Sequence, residues 1–191
     1  MKKTLVIILA VLAVLVLWGV SVYNGLVQKQ EAVSSAWSQV ENVYQRRADL
    51  IPNLVATVKG YAAHESSTLE AVIQARANAT SVNGGNLSGE EVAAYQQAQG
   101  EVSSALQRLL VVVENYPELK ANENFLDLQA QLEGTENRIA EARRLFNEQA
   151  KGYNTKVRSF PSNVIASMFG FEPKGYFEAE EAAKTAPKVE F

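Results

Sequence analysis

The sequence predicts an all-α protein, in which an N-terminal transmembrane helix is followed by an antiparallel up-and-down four-helix bundle. One observation behind this prediction is an apolar run of 18 residues at positions 5–22. Another is that apolar residues recur at intervals of three and four over most of the remaining chain, which is typical of amphipathic helices. Strict alternation of apolar and polar residues, which would indicate strands, occurs nowhere.

The composition is that of a folded domain and argues against several classes of protein. The chain has 191 residues, of which 47% are hydrophobic and 20% are charged. It contains no cysteine, which excludes disulfides, thiolate nucleophiles and zinc–thiolate sites. The net charge is −3, and because Lys2 and Lys3 contribute +2, the other residues together carry −5. This balance predicts that nucleic acid is not a partner, since nucleic-acid binders normally present a basic face.

The apolar run is expected to cross the lipid bilayer as a single helix through residues 5–22. No charged residue lies between Thr4 and Gln28. Eighteen helical residues measure about 27 Å, close to the thickness of the hydrocarbon layer. Trp18 and Tyr23 lie near the end of the run, where amphipathic rings favour the membrane interface. A cleaved signal peptide is the alternative, but "WGVSVYNG" is a poor cleavage site.

The charges around this run predict its orientation. Lys2 and Lys3 precede it, whereas the first positive residue after it is Lys29. The positive-inside rule then places the amino terminus in the cytoplasm and the bundle on the outer side of the membrane, periplasmic or extracellular. The expected parts are a transmembrane anchor at 1–23, a helical bundle at 24–160, and a short helix with a tail at 161–191.

Pro52 interrupts the first amphipathic stretch of the predicted bundle. Proline inside a helix removes one hydrogen bond and costs about 3 kcal/mol. In one interpretation the first helix ends near Ala48, Asp49 caps the next helix, and Pro52 lies in its first turn. In the other, a single long helix kinks at Pro52, and the apolar register favours this because it continues across the proline. Compactness favours the turn, and we expect the turn.

Turn and capping signals predict the remaining helices. The stretch Ser81–Glu90, "SVNGGNLSGE", is expected to be a loop, and Ser88 is expected to begin the next helix through a capping box. The last long helix is expected to start near Asn122, and Gly134 and Gly152 within it would allow a neighbouring helix to cross closely. The best core candidates are Trp37, Tyr44, Leu54, Leu106, Leu109, Leu132, Ile139 and Phe146.

Several stretches of the chain resemble the LemA family. They are "YNGLV" after the apolar run, "AWSQVENVYQRRADLIPNLVATVKGYAAHE", "LEGTENRIAEARRLFNEQAKGYN", "FPSNVIASMFGF" and the closing "YFEA…PKVEF". They occur in the family's order and cover most of the chain from Tyr23 onward. The resemblance implies a bacterial, single-pass, membrane-anchored protein with an up-and-down four-helix bundle. It implies no particular reaction and no catalytic residues.

The residues themselves predict no catalytic group, cofactor or metal site. The chain has a single histidine, His64, and the residue three positions before it is a tyrosine rather than the glutamate of a diiron motif. The loop "NGGNLSG" lacks the lysine and the preceding strand of a phosphate-binding loop. We therefore expect a protein that is not an enzyme.

Arg46, Arg47 and Asp49 are candidate partner-binding residues. Arginine side chains form paired hydrogen bonds with carboxylates and phosphates, so these residues would suit an anion-binding or partner-docking corner. The alternative, which we expect, is an ion pair that fixes the chain before Pro52. Its acid would be Glu41 or a carboxylate of the last long helix.

The segment "FPSNVIASMFGF", at 160–171, is a second candidate contact surface. It concentrates large apolar residues, among them Phe169 and Phe171, and this much apolar surface must be covered. We expect it to pack against the end of the bundle, with the membrane surface and a second subunit as alternatives. Ser162 is expected to cap a short helix after Pro161.

The chain ends in "PKVEF", where Val189 and Phe191 are separated by one residue. This arrangement resembles a ligand for a PDZ-type groove, in which an extended peptide adds a strand and backbone amides hold its carboxylate. The alternative is a tail that folds back on the bundle or is disordered.

These expectations combine into a non-enzymatic, membrane-anchored helical bundle that acts as an adaptor or scaffold in the bacterial envelope. An unknown protein partner is expected, with the C-terminal tail as one contact, and association with a second copy stays open. The alternative is a ligand- or stress-sensing module whose bundle moves relative to the span about a hinge at Pro52.

Overall fold

The computed structural model describes residues 2–178, which fold into helices joined by short turns. No β-strand occurs within this range, so the predicted helical class is confirmed for the part described. The helices are α1 (Lys2–Tyr61), α2 (Ser66–Ser81), α3 (Gly89–Val113), α4 (Pro117–Lys120), α5 (Glu123–Arg158) and α6 (Ser162–Met168).

Helix α1 consists of two halves with opposite surroundings. At 60 residues it is about 90 Å long. Nearly all apolar side chains from Leu5 to Val20 are exposed, whereas beyond Val22 one face is buried against the other helices. In the described range, α1 is the one helix long and apolar enough to cross a membrane, judged by length and composition.

The predicted turn at Pro52 is wrong, because α1 runs through the proline to Tyr61. Pro52 is exposed, whereas Ile51 and Leu54 beside it are buried, so the apolar register continues across it. Proline has no N–H to donate to the carbonyl four residues earlier, which belongs to Ala48. The Nε of Arg76 donates to that carbonyl instead, over 2.7 Å. A side chain of α2 therefore satisfies the acceptor that the proline leaves open.

The chain turns after Tyr61, between α1 and α2, instead of at Pro52. Two hydrogen bonds between side chains fasten this turn to the following helices. The hydroxyl of Tyr116 donates to a carboxylate oxygen of Glu65 over 3.0 Å, and the amide of Asn122 donates to the hydroxyl of Tyr61, also over 3.0 Å. Asp49, predicted to be a cap, lies within α1.

The core consists of two clusters along the helices. Helix α1 packs most extensively against α5, and α2 packs against α3. One cluster is rich in aromatic residues and contains Trp37, Tyr95 and Phe146, and the other is mainly aliphatic and contains Leu54 and Leu109. All eight predicted core residues are buried, because each lies on the apolar stripe of its helix.

The local signals placed the starts of the two long helices α3 and α5 correctly. Ser88 and Glu91 form the predicted capping box at the start of α3, and Asn122 caps α5. Ser162 does not cap α6, because its hydroxyl donates to the carbonyls of Lys156 and Ser159 at the end of α5.

The glycines of α5 do not mark a close helix crossing. A Cβ at Gly134 would meet nothing within 4 Å, and one at Gly152 would meet only the flexible end of Lys29 at 3.6 Å. The close approach lies instead in the loop before α3, where a Cβ at Gly84 would overlap the indole ring of Trp37.

The contact between Arg76 and the proline turn predicts a coupling between two substitutions. Arg76→Ala should lower the free energy of unfolding by about 1 kcal/mol, because the Ala48 carbonyl loses its donor. In a Pro52→Ala background the alanine N–H can bond that carbonyl, so Arg76→Ala should cost clearly less. Urea unfolding of the four variants, followed by circular dichroism, measures the coupling. Equal costs in both backgrounds would show that Arg76 does not compensate for the proline.

Candidate functional site

Of the predicted partner-binding residues in α1, Arg47 points into the protein. It is 1% exposed, and it is the only charged side chain of residues 2–178 that is buried. Burying an arginine is costly unless its donors are paired. Arg47 therefore needs hydrogen-bond acceptors inside the core, although it lies on the apolar stripe of α1.

Helices α3 and α5 provide these acceptors. One terminal nitrogen of Arg47 donates to Ser103 Oγ and to Glu136 Oε1, each over 2.8 Å. The other donates to the Gln99 carbonyl over 2.9 Å and to Gln99 Oε1 over 2.8 Å. The guanidinium carbon also lies 5.0 Å from the ring centre of Tyr44, a cation–π distance. The expected ion pair with a carboxylate of the last long helix is thus present, and Arg47 links three helices.

Arg46 and Asp49 do not join this group. Both side chains are exposed, and Asp49 accepts a hydrogen bond from the Gln45 amide one helical turn earlier, over 2.7 Å. The three predicted residues are therefore divided between the interior and the surface. Arg46 and Asp49 are available on the outside of α1, whereas Arg47 is enclosed.

A pocket of about 200 Å³ adjoins Arg47 between α1, α2 and α3. Its lining brings together the side chains of Glu41, Arg47, Arg76 and the two tyrosines Tyr44 and Tyr95. Burial raises the pKa of both phenols, and the positive charges of Arg143 and Arg47 partly oppose this at Tyr44. Both tyrosines are therefore neutral at physiological pH, and the pocket has room for a small polar molecule or a few waters.

His64 lies in the turn between α1 and α2, and its side chain is exposed. Within residues 2–178, no group of three or more acidic, histidine or cysteine side chains is gathered in a way that could hold a metal ion.

The other predicted contact residues, Phe169 and Phe171, lie beside the end of the apolar half of α1. Their ring centres are 5.0 and 5.5 Å from that of Tyr23, and both pairs are edge-to-face. The 160–171 segment packs partly against the rest of the protein through Ile165 and Phe171, as expected. Several of its large apolar side chains nevertheless stay exposed: Phe160, Val164, Met168 and Phe169.

The segment after α6 folds back along α3 and α5 as far as residue 178. Asn154 and Asn147 of α5 each bond both backbone groups of one residue, Lys174 and Phe177 respectively, over 2.7–2.9 Å. Phe177 is buried and stacks on Trp37 with ring centres 5.8 Å apart. The last predicted contact residues, Val189 and Phe191, lie outside the described residues.

Sequence reasoning missed the partners of Arg47 on α3 and the residues that hold the C-terminal segment. One signal for the former was present: Gln99 is a polar residue at core spacing between Tyr95 and Val102. A polar side chain within an apolar stripe indicates a buried partner. Asn147 and Asn154 had no such signal, because asparagine is common on exposed helix faces.

Known proteins resemble the chain over most of its length. A family model described as "LemA family" matches residues 36–191. Magnetosome protein MamQ 2 of Paramagnetospirillum magneticum is 28% identical over 182 aligned residues, which cover 85% of this chain and 67% of the relative. Magnetosome protein MamQ of Magnetospirillum gryphiswaldense is 27% identical with the same coverage. Protein LemA of Metamycoplasma hominis is 24% identical over 158 residues, or 83% of this chain and 69% of the relative.

The family match extends over far more than half of the chain, from α1 to the final residue, and it includes the buried Arg47, its partners on α3 and α5, and the docked C-terminal segment. The chain belongs to the LemA family.

Proposed function

We propose that this protein is a non-enzymatic, membrane-anchored adaptor or scaffold of the bacterial envelope. The observation behind this proposal is the division of α1, whose first half exposes its apolar side chains and whose second half forms part of the folded core. A single helix therefore connects an apolar surface suited to lipid with the helical body. The names of the relatives, MamQ and LemA, are not enzyme names, which agrees with the proposal.

The body of this adaptor would be an antiparallel up-and-down bundle of α2, α3, α5 and the second half of α1. Contacts at both ends of α5 support opposite directions for α1 and α5. Tyr61, at the end of α1, is bonded to Asn122 at the start of α5. Near the other end of α5, Gly152 faces Lys29 of α1. Such a bundle would present long, rigid helix faces to a partner.

Membrane anchoring is tested by extraction of cell membranes with alkaline carbonate. The full-length chain should stay in the membrane pellet, because the exposed apolar side chains of 5–22 would be in lipid. A variant lacking residues 2–22 should move to the supernatant and keep a helical spectrum. Recovery of the full-length chain in the soluble fraction would contradict the anchor.

The absence of cysteine allows the orientation to be tested with single-cysteine variants in spheroplasts. If the body lies on the outer side, a membrane-impermeant maleimide should label Val111→Cys, whose side chain is exposed, before lysis. Thr4→Cys should react only after lysis. The reverse pattern would place the body in the cytoplasm.

The adaptor role is tested by photo-crosslinking in intact cells. We propose that partner contact involves Arg46 and Asp49 on the outside of α1 and the terminal residues Val189 and Phe191. Photoreactive residues at 49 and 191 should yield discrete products, whose masses distinguish another protein from a second copy. A terminal peptide should bind envelope PDZ domains only when Phe191 is present. Absence of a crosslink at both positions, together with equal peptide binding, would contradict this assignment.

A further inference from the structure

We propose that the 160–171 segment, which includes α6, is a second membrane contact that lies in the interfacial layer of the bilayer beside the span. We call this segment the foot. The inference rests on the proposed membrane anchoring and adds to it. The helical body would then be held at the membrane by two adjacent elements instead of hanging from a single helix.

The foot exposes most of its large apolar side chains. Phe160 is 84% exposed, Met168 71% and Phe169 60%, while Ser162 and Ala166 face the protein. A surface helix in water shows the opposite arrangement, with its apolar face covered. An apolar face turned away from the protein next to a membrane span is typical of a helix that lies in the interface.

The position of the foot agrees with interfacial depth. Ile165 lies 3.8 Å from the place of a Cβ at Gly19, and Phe169 contacts Tyr23 edge to face. Gly19 and Tyr23 are four residues, or about 6 Å, apart along α1, so both contacts lie at the end of the span. Interfacial helices bury their apolar face about 5–10 Å deep.

Foot and span share one apolar surface. The groove between them is lined by apolar side chains together with Tyr23, and includes Leu12, Leu15, Val16, Ile165 and Phe169. Lipid that surrounds the span would therefore reach the foot without crossing a polar boundary. This continuity favours lipid over a second copy, because a protein covering the foot would also have to displace lipid from the span.

The flanks of the foot suit lipid head groups. Lys156 and Arg158 lie in the last turn of α5, immediately before the foot. Basic residues at this position are attracted to anionic head groups, whereas the phenyl and thioether side chains beyond them prefer the acyl boundary. The bonds from the Ser162 hydroxyl to the carbonyls of Lys156 and Ser159 join the foot rigidly to α5.

The experiment uses the full-length chain in liposomes of phosphatidylcholine and phosphatidylglycerol. Because the chain has no cysteine, a polarity-sensitive fluorophore can be attached to one position at a time. Met168→Cys and Val164→Cys report on the foot, Leu15→Cys on the span and Val111→Cys on an exposed apolar position of α3. Lipids with a nitroxide near the head group or near the acyl-chain end act as quenchers at two depths.

We expect the label at 168 to lose about half of its emission with the shallow quencher and less with the deep one, as interfacial depth requires. The label at 164 should behave in the same way. Agreement between the two positions would show that the fluorophore itself has not changed the local structure. The label at 15 should respond more to the deep quencher, and the label at 111 to neither.

The remaining outcomes separate the two proposals. Quenching at 15 without quenching at 164 and 168 would overturn the foot and leave the anchor intact. Absence of quenching at 15 would contradict the anchor itself. Blue-shifted emission at 168 that depends on the protein-to-lipid ratio and ignores both quenchers would mean that a second copy covers the foot, which also overturns the proposal.

Discussion

Replacing Arg47 by alanine is expected to lower the free energy of unfolding by about 3 kcal/mol, as losses from buried polar networks do. The change removes four hydrogen bonds to Ser103, Gln99 and Glu136 and the contact with the Tyr44 ring. Gln99 is 8% exposed, so its acceptors lose donors where little water reaches them. The new void would also adjoin the existing pocket of about 200 Å³.

The adjacent arginine provides a matched control. Arg46→Ala removes the same side chain from an exposed position, and we expect a change within about 0.5 kcal/mol. Arg47→Lys should restore only part of the stability, because an ammonium group cannot reach partners on α3 and α5 at once as the planar guanidinium does. Urea unfolding of the full-length chain in detergent micelles, followed by circular dichroism, gives the three values.

In the ion pair of Arg47 with Glu136, the glutamate should contribute less to the free energy of unfolding than the arginine. Glu136 has a side chain that is 46% exposed, so solvent screens its charge and its removal by Glu136→Gln should cost about 1 kcal/mol or less. If Arg47→Ala and Arg46→Ala had equal effects, the interior position of Arg47 would be contradicted. If Glu136→Gln cost more than Arg47→Ala, the ion pair would outweigh the bonds to Gln99 and Ser103.

The features predicted correctly from the sequence are those that depend on residues close to one another along the chain. The buried stripe, the capping box at Ser88 and the cap at Asn122 each depend on spacings of three or four residues. The contact of Arg47 with the last long helix was one of two ion pairs considered, the other being with Glu41, and the spacing did not say which would form.

The wrong predictions concern contacts between residues far apart in sequence. The turn at Pro52 was predicted from compactness. Instead α1 continues through the proline, and Arg76, 24 positions later in the chain, donates to the carbonyl that the proline leaves open. Gly134 suggested a close helix crossing, but no atom of the other described helices lies within 4 Å of the place where its Cβ would be. The docking of the segment that follows α6, as far as residue 178, was not predicted, since asparagines that bind backbone groups look the same in sequence as asparagines that face solvent.

Replacing Phe177 by alanine is expected to destabilise the protein by about 3–4 kcal/mol, the usual range for a buried phenylalanine. Its ring is 5% exposed, stacks on Trp37, meets Phe146 edge to face and lies under the guanidinium of Arg143. The loss also weakens the hold on the segment, because only the two backbone bonds to Asn147 would stay at this residue.

Val111→Ala is the control, because it shortens an apolar side chain that is 69% exposed and lies outside the foot. It should change the stability in micelles by no more than about 0.5 kcal/mol. In a Trp18→Phe background the fluorescence of Trp37 reports on the stacked ring directly, and Phe177→Ala should shift it to longer wavelength as water gains access.

Asn147→Ala separates the two ways in which Phe177 could matter. The ring of Phe177 would fill the core, whereas its backbone bonds to Asn147 would position the segment. Asn147→Ala should then lower the free energy of unfolding by about 1–2 kcal/mol. It should also shift the Trp37 emission by less than Phe177→Ala does, since the ring would still dock for part of the time. An unchanged Trp37 spectrum in Phe177→Ala, together with a loss below about 1 kcal/mol, would mean that the segment is not docked in solution. In that case the aromatic cluster of Trp37 and Phe146 would have to be covered by something other than the chain's own C-terminal segment.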